Sequence, residues 1–149
     1  MSKNNKVQEE KVSKDLAIKD LEVFLKKHMK KEYRRGQMTR EKIEKDYEDV
    51  IEAMQEGLLV MKNGQPEYTL REPLFNEAEK EDLKVKKVTF RSRVKAADKN
   101  RVLDGLNLDK QAGTYVLKYV AYITQLSMTE INQLEQDDFD VLNQICSVF

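Results

Sequence analysis

The stretch that most constrains the fold is Tyr115–Phe149. Residues 115–127, YVLKYVAYITQLS, form the most apolar run of the chain. Val116, Tyr119, Val120, Ile123 and Leu126 recur at helical spacing. Tyr115, Leu117, Ala121 and Tyr122 fill much of the remaining circumference. A helix apolar nearly all round is buried on more than one side, so this segment is expected to be the central helix of the fold. Ser127 or Thr129 can cap a short helix, MTEINQLEQ, with Ile131 and Leu134 facing inward. Asp137 or Asp138 is expected to cap a last helix, in which Phe139, Leu142, Ile145, Cys146 and Phe149 share one stripe. The central segment is too short, and too polar at its ends, to span a bilayer.

A chain of 149 residues is expected to form a single domain, 1–149, around one core. Its apolar share is 40% and its charged share 36%, a balance that suits a helix-rich protein with charged outer faces. Basic and acidic residues balance at 27 each, so net charge points to no particular partner. The single cysteine excludes an internal disulfide and a cysteine-based zinc site. The first residues, MSKNNKVQEEK, lack the apolar stretch of a signal peptide, and a cytoplasmic location is expected.

Read in order, residues 1–12 form a polar, frayed arm, and Ser13 can cap a helix over 14–34. Ala17, Leu21, Phe24, Leu25 and His28 are its inner face, and Gly36 supplies the left-handed residue after it. Thr39 can cap a second helix over 40–56, with Ile43, Tyr47, Val50, Ile51 and Met54 inward. Residues 1–57 thus read as a helical hairpin. The period then changes to that of a strand. Strands are expected at 58–62 and 67–71 around Asn63-Gly64, the strongest short hairpin signal, and at 86–94. Pro73 should end the second strand or hold it at a sheet edge. Residues 75–83 read as a charged connector with one helical turn. Further helices are expected at 96–105, 110–125, 128–135 and 138–147. The fold class is α+β and mainly helical, with a helical hairpin, a small antiparallel sheet and a C-terminal helical cluster.

Residues able to carry catalysis are few. His28 is the only histidine and lies on the edge of a helical stripe. Cys146 lies on an apolar helix face, where a thiol behaves as a small hydrophobe. The five glycines are scattered rather than clustered around a phosphate loop. Glu135, Asp137, Asp138 and Asp140 lack the glycine and distal glutamate of a calcium loop and suit a helix start instead. No catalytic residue, metal or cofactor is expected. The basic stretch 84–101 places Lys87, Arg91, Arg93 and Lys95 close together, with the first three on one strand face. That is the footprint of a possible nucleic-acid contact. No aromatic side chain projects from that face to stack a base, and a lysine- and arginine-protected sheet face accounts for it better. Residues 127–149 carry five acids and no base, so the two regions can also attract one another.

Three stretches together resemble the tail assembly chaperones of long-tailed phages and Mu-like prophages: YTLREPL (68–74), VTFRSRVKAADKNRVLDGL (88–106) and ITQLSMTEINQLEQDDFDVL (123–142). The second is similar to that family's strand, basic-polar turn and helix. The third matches an apolar helix end, a Leu-Ser turn, a short helix ending in leucine and an aspartate opening the last helix. The resemblance covers 58–149, the α+β region, and leaves out the N-terminal hairpin. It implies a non-enzymatic protein that binds the long helical tape-measure protein, or another tail protein, while the tail tube is built. Alternatives are a small nucleic-acid-binding or regulatory protein using 84–101, or a structural adaptor of a tail or contractile apparatus; self-association is compatible with each. The apolar stripe of the last helix supplies candidate partner-binding residues: Phe139, Leu142, Cys146 and Phe149. Either Cys146 and Phe149 form a docking edge, or Phe149 folds back onto the core.

Overall fold

The structure, a computed structural model, describes residues 12–75 and 83–149. The expected N-terminal arm and most of the charged connector lie outside these residues. The fold is α+β and mainly helical, with a three-stranded antiparallel sheet.

The N-terminal hairpin is built from four helices rather than two: α1 (Lys14–His28), α2 (Lys30–Arg34), α3 (Arg40–Asp46) and α4 (Glu48–Gln55). Ser13 and Thr39 cap α1 and α3 through their side-chain oxygens, as expected. Each long helix breaks at one residue, Met29 (φ −110°, ψ 46°) and Tyr47 (φ −122°, ψ 29°). The apolar stripe runs on across both breaks, which is why periodicity does not reveal them. The two breaks meet: the Tyr47 hydroxyl donates to the Met29 sulfur at 3.4 Å. Ala17, Ile18, Leu21, Phe24 and Leu25 of α1 are buried, as are Val50, Ile51, Ala53 and Met54 of α4.

Strands β1 (Leu59–Lys62) and β2 (Gln65–Phe75) flank Asn63-Gly64, with Lys62 opposite Gln65. Both turn residues have positive φ, 53° and 74°, the signature of a type I′ turn whose twist matches that of the strands. Pro73 does not end β2. It lies where β1 no longer pairs and where the register with β3 (Leu83–Thr89) shifts between Thr69 and Leu74, so its missing N–H interrupts no regular ladder. Strand β3 begins and ends earlier than its alternation indicates. After Thr89 the chain leaves the sheet, and the Arg91 N–H donates to the Ile123 carbonyl at 2.8 Å.

The remaining helices are α5 (Ala96–Leu103), α6 (Leu108–Thr124), α7 (Met128–Gln133) and α8 (Gln136–Cys146). Ser127 caps α7, and Glu130 returns to the Ser127 N–H in a full capping box. The expected central role of α6 is not observed. Only its last turns are buried, at Val120, Ala121, Ile123 and Thr124, while Leu108 is 48% and Val116 37% exposed. An all-round apolar circumference permits burial on every side but does not supply the neighbours. The central element is α8, which packs on α4, α6 and β2. Its inner stripe is Asp138, Val141, Leu142, Ile145 and Cys146; Leu142, Ile145 and Cys146 are as expected, while Asp138 and Val141 take the places expected of Phe139 and Phe149, which are half-buried.

Two polar contacts hold α8 in place. Neither Asp137 nor Asp138 caps it; the cap position is Glu135, which makes no side-chain cap bond. Asp138 instead turns inward. It accepts from the Tyr68 hydroxyl at 2.6 Å and from the N–H groups of Arg71 (2.9 Å) and Glu72 (3.1 Å) on β2. Gln144 serves α4 from across the interface. Its Oε1 accepts from the N–H groups of Asp49 and Val50, and its Nε2 donates to Asp49 Oδ2. Helix α4 has no cap from its own preceding residue, so Gln144 supplies in trans what an N-cap supplies locally. Gln144→Ala is expected to lose about 1–2 kcal/mol, the scale of a lost N-cap. A shift of the urea midpoint without a change in slope checks it, and an unchanged midpoint refutes it.

Candidate partner-binding groove

The proposed docking residues of α8 do not form a surface. Leu142 and Cys146 have no solvent exposure, and Phe139 and Phe149 are half-buried. Phe149 folds back: its ring lies edge-on to Phe24 at 5.8 Å and beside His28 at 4.9 Å, and its carbonyl accepts from the Tyr119 hydroxyl at 2.9 Å. Burial pushes the Cys146 thiol far above its ordinary range, so the residue is an inert core group. The stripe pattern identified apolar residues correctly, but it carries no information on which of them a neighbouring helix covers.

The basic stretch is dispersed as well. Arg91 is drawn inward, with its guanidinium 4.2 Å from the centre of the Tyr122 ring and Nε donating to the Tyr122 carbonyl at 2.7 Å. It therefore satisfies the carbonyl end of α6 rather than facing a ligand. Lys87 pairs with Glu67 at 3.4 Å, and Lys84 approaches Glu130 at 3.9 Å. The Lys95 N–H donates to Asp98 at the start of α5, and that bond holds the Asp98 carboxyl below its ordinary value. Lys87, Arg91 and Arg93 do not share one strand face, because β3 ends at Thr89. Arg91 is thus withdrawn from the basic stretch, while Lys86, Arg93 and Lys95 stay exposed.

What the structure leaves open is a shallow groove of about 310 Å³ between α5, α6 and the start of α7. Val102, Ala121, Tyr122, Leu126 and Met128 form its floor. Arg101 and Lys118 stand at its sides. The groove exists because α5 lies on α6 and the chain turns sharply at Gln125, whose φ is 60°, before Ser127 opens α7. Its lining therefore comes from three elements joined by two short turns. Neither cation makes an ion pair among the described residues. On the far side of α6, Ala112 and Val116 continue the stripe of Val120 and Ile123 beyond the edge of the core. The sequence pattern marks Ala121, Tyr122 and Leu126 as apolar positions of a buried helix; Ala121 is buried, while Tyr122 and Leu126 are only half-buried at the groove. The signal left unread is the pair of cations, one on each helix, flanking a shared apolar strip.

Among the described residues, no group of three or more histidine, cysteine, aspartate or glutamate side chains could hold a metal ion. No described helix is long and apolar enough to cross a membrane. No protein-family model matches the chain, and neither does any curated protein or solved structure.

Proposed function

We propose that the protein is a non-enzymatic tail assembly chaperone whose α5–α6–α7 groove holds an amphipathic helical segment of the tape-measure protein. The observation that carries this reading is the groove itself, an open apolar strip flanked by Arg101 and Lys118, neither of which forms a close ion pair among the described residues. Such a strip suits a partner helix that presents apolar residues at i, i+3/i+4 and i+7 and acidic residues beside them. The resemblance of motifs within residues 58–149 to the chaperone family is what suggests the tape-measure protein as the partner. The groove lies wholly within that region.

The groove, not the end of α8, is the expected contact. Arg101→Glu with Lys118→Glu should reduce co-purification with a co-expressed helical tape-measure candidate by roughly tenfold or more, because like charges then face the acidic flanks. Neither side chain is in the core, so thermal stability should change little. Undiminished co-purification with an intact fold would remove the groove from the reading.

A further inference from the structure

A second concave site lies away from this groove, at the junction of α1, α2 and the loop that follows β3. It has a volume of about 260 Å³. Lys27, Lys30 and Arg93 line it, together with Ser92 and His28. Val94, Val148 and Phe149 form an apolar wall on one side.

The three cations come from separate places in the sequence, two flanking the α1–α2 break and one from the loop. None of them has an ion-pair partner among the described residues, whereas Lys84, Lys87 and Arg91 are each occupied elsewhere. His28 Nε2 is buried without a hydrogen-bond partner. Burial, aided by the charge of Lys27, holds this imidazole below its ordinary value of 6.5, so at neutral pH it adds a neutral ring to the site.

The geometry points to this cavity as a binding site for the phosphate group of a small phosphomonoester. Three cations without an ion-pair partner among the described residues match a dianion better than a single carboxylate, which would leave two of them unpaired. The Ser92 hydroxyl adds a neutral donor of the kind phosphate oxygens accept. The apolar wall gives the ester's organic part a place to lie. The size favours a small ligand, and the withdrawal of Arg91 to the end of α6 weakens the basic stretch 84–101 as a path for a nucleic-acid backbone.

Titration with inorganic phosphate at pH 7.5, against acetate and chloride at matched ionic strength, tests the assignment. The readout is the amide shifts of Lys30, Ser92 and Arg93 together with the His28 ring signals. Phosphate should produce saturable shifts confined to these residues, and acetate should bind at least tenfold more weakly. Arg93→Gln, a change in an exposed loop that leaves the core alone, should weaken phosphate binding roughly tenfold, as expected for one charge-assisted bond. Lys27→Gln, Lys30→Gln and Arg93→Gln combined should abolish it. Absence of saturable shifts, acetate binding equal to that of phosphate, or unchanged binding by Arg93→Gln would overturn the assignment. So would a short single-stranded oligonucleotide that binds far more tightly than phosphate and shifts residues along 84–101.

Discussion

Asp138→Ala is expected to lower folding stability by about 3–5 kcal/mol, because it leaves a phenol and two backbone N–H groups without their acceptor. Asp138 is completely buried, and its three donors all belong to β2. The Tyr68 hydroxyl is itself held in the acid form, first by burial and then by the neighbouring carboxylate. No water can replace the missing oxygen atoms without entering the core. For a domain whose total stability is on the order of 5–15 kcal/mol, such a loss leaves little folded protein at physiological temperature. Tyr68→Phe is the milder companion. It removes one donor and leaves the carboxylate with two backbone partners, at a cost of about 1–2 kcal/mol. Urea denaturation of both variants measures the difference. An Asp138→Ala protein within about 1 kcal/mol of the parent would show that the carboxylate is not a major tie between α8 and the sheet.

Deletion of residues 146–149 is the second large effect. It removes Cys146, which has no exposure, and Val148, which is 6% exposed. It also removes the Phe149 ring from its place against Phe24 and His28, and takes away the carbonyl that holds the Tyr119 hydroxyl. Loss of a fully packed phenylalanine costs about 3–5 kcal/mol; the half-buried Phe149 contributes part of that, and the buried Cys146 and Val148 add to it. For a chain of this size each kcal/mol lowers the melting temperature by about 2–4 °C, so a fall of roughly 10 °C or more is expected. The protein with the groove cations reversed should melt close to the parent, which separates loss of the core from loss of the groove. A truncated protein that melts within a few degrees of the parent would return these residues to the surface.

Element type was legible wherever a local signal acts alone. Ser13, Thr39 and Ser127 act as caps because each precedes a periodic run and reaches a nearby N–H. Asn63-Gly64 sets its hairpin because both residues tolerate positive φ. The breaks at Met29 and Tyr47 were not legible, since one residue leaving helical geometry changes no stripe. Asp138 was read as a capping residue because acidic residues at a helix start usually serve that end. What distinguishes it is a tyrosine and two N–H groups some seventy residues earlier in the chain, and no local pattern can contain them. The same limit applies to the candidate sites. Leu142 and Cys146 look identical in sequence whether a neighbour covers them or not. Arg91 looks like a free cation until the end of α6 is placed beside it.

The reach of the α8 contacts also sets an order of events. Gln144 ties to Asp49 and Val50, and Asp138 to Tyr68, Arg71 and Glu72. During synthesis the hairpin of α1 and α4 emerges long before residue 146 exists, so its inner face waits without the helix that covers it. Helix pairs close quickly, but contacts at such sequence separation form late because a long loop must be closed first. Completion of the core therefore waits for α8, and until that helix arrives Phe24, Val50 and Tyr68 remain open to water and to other chains.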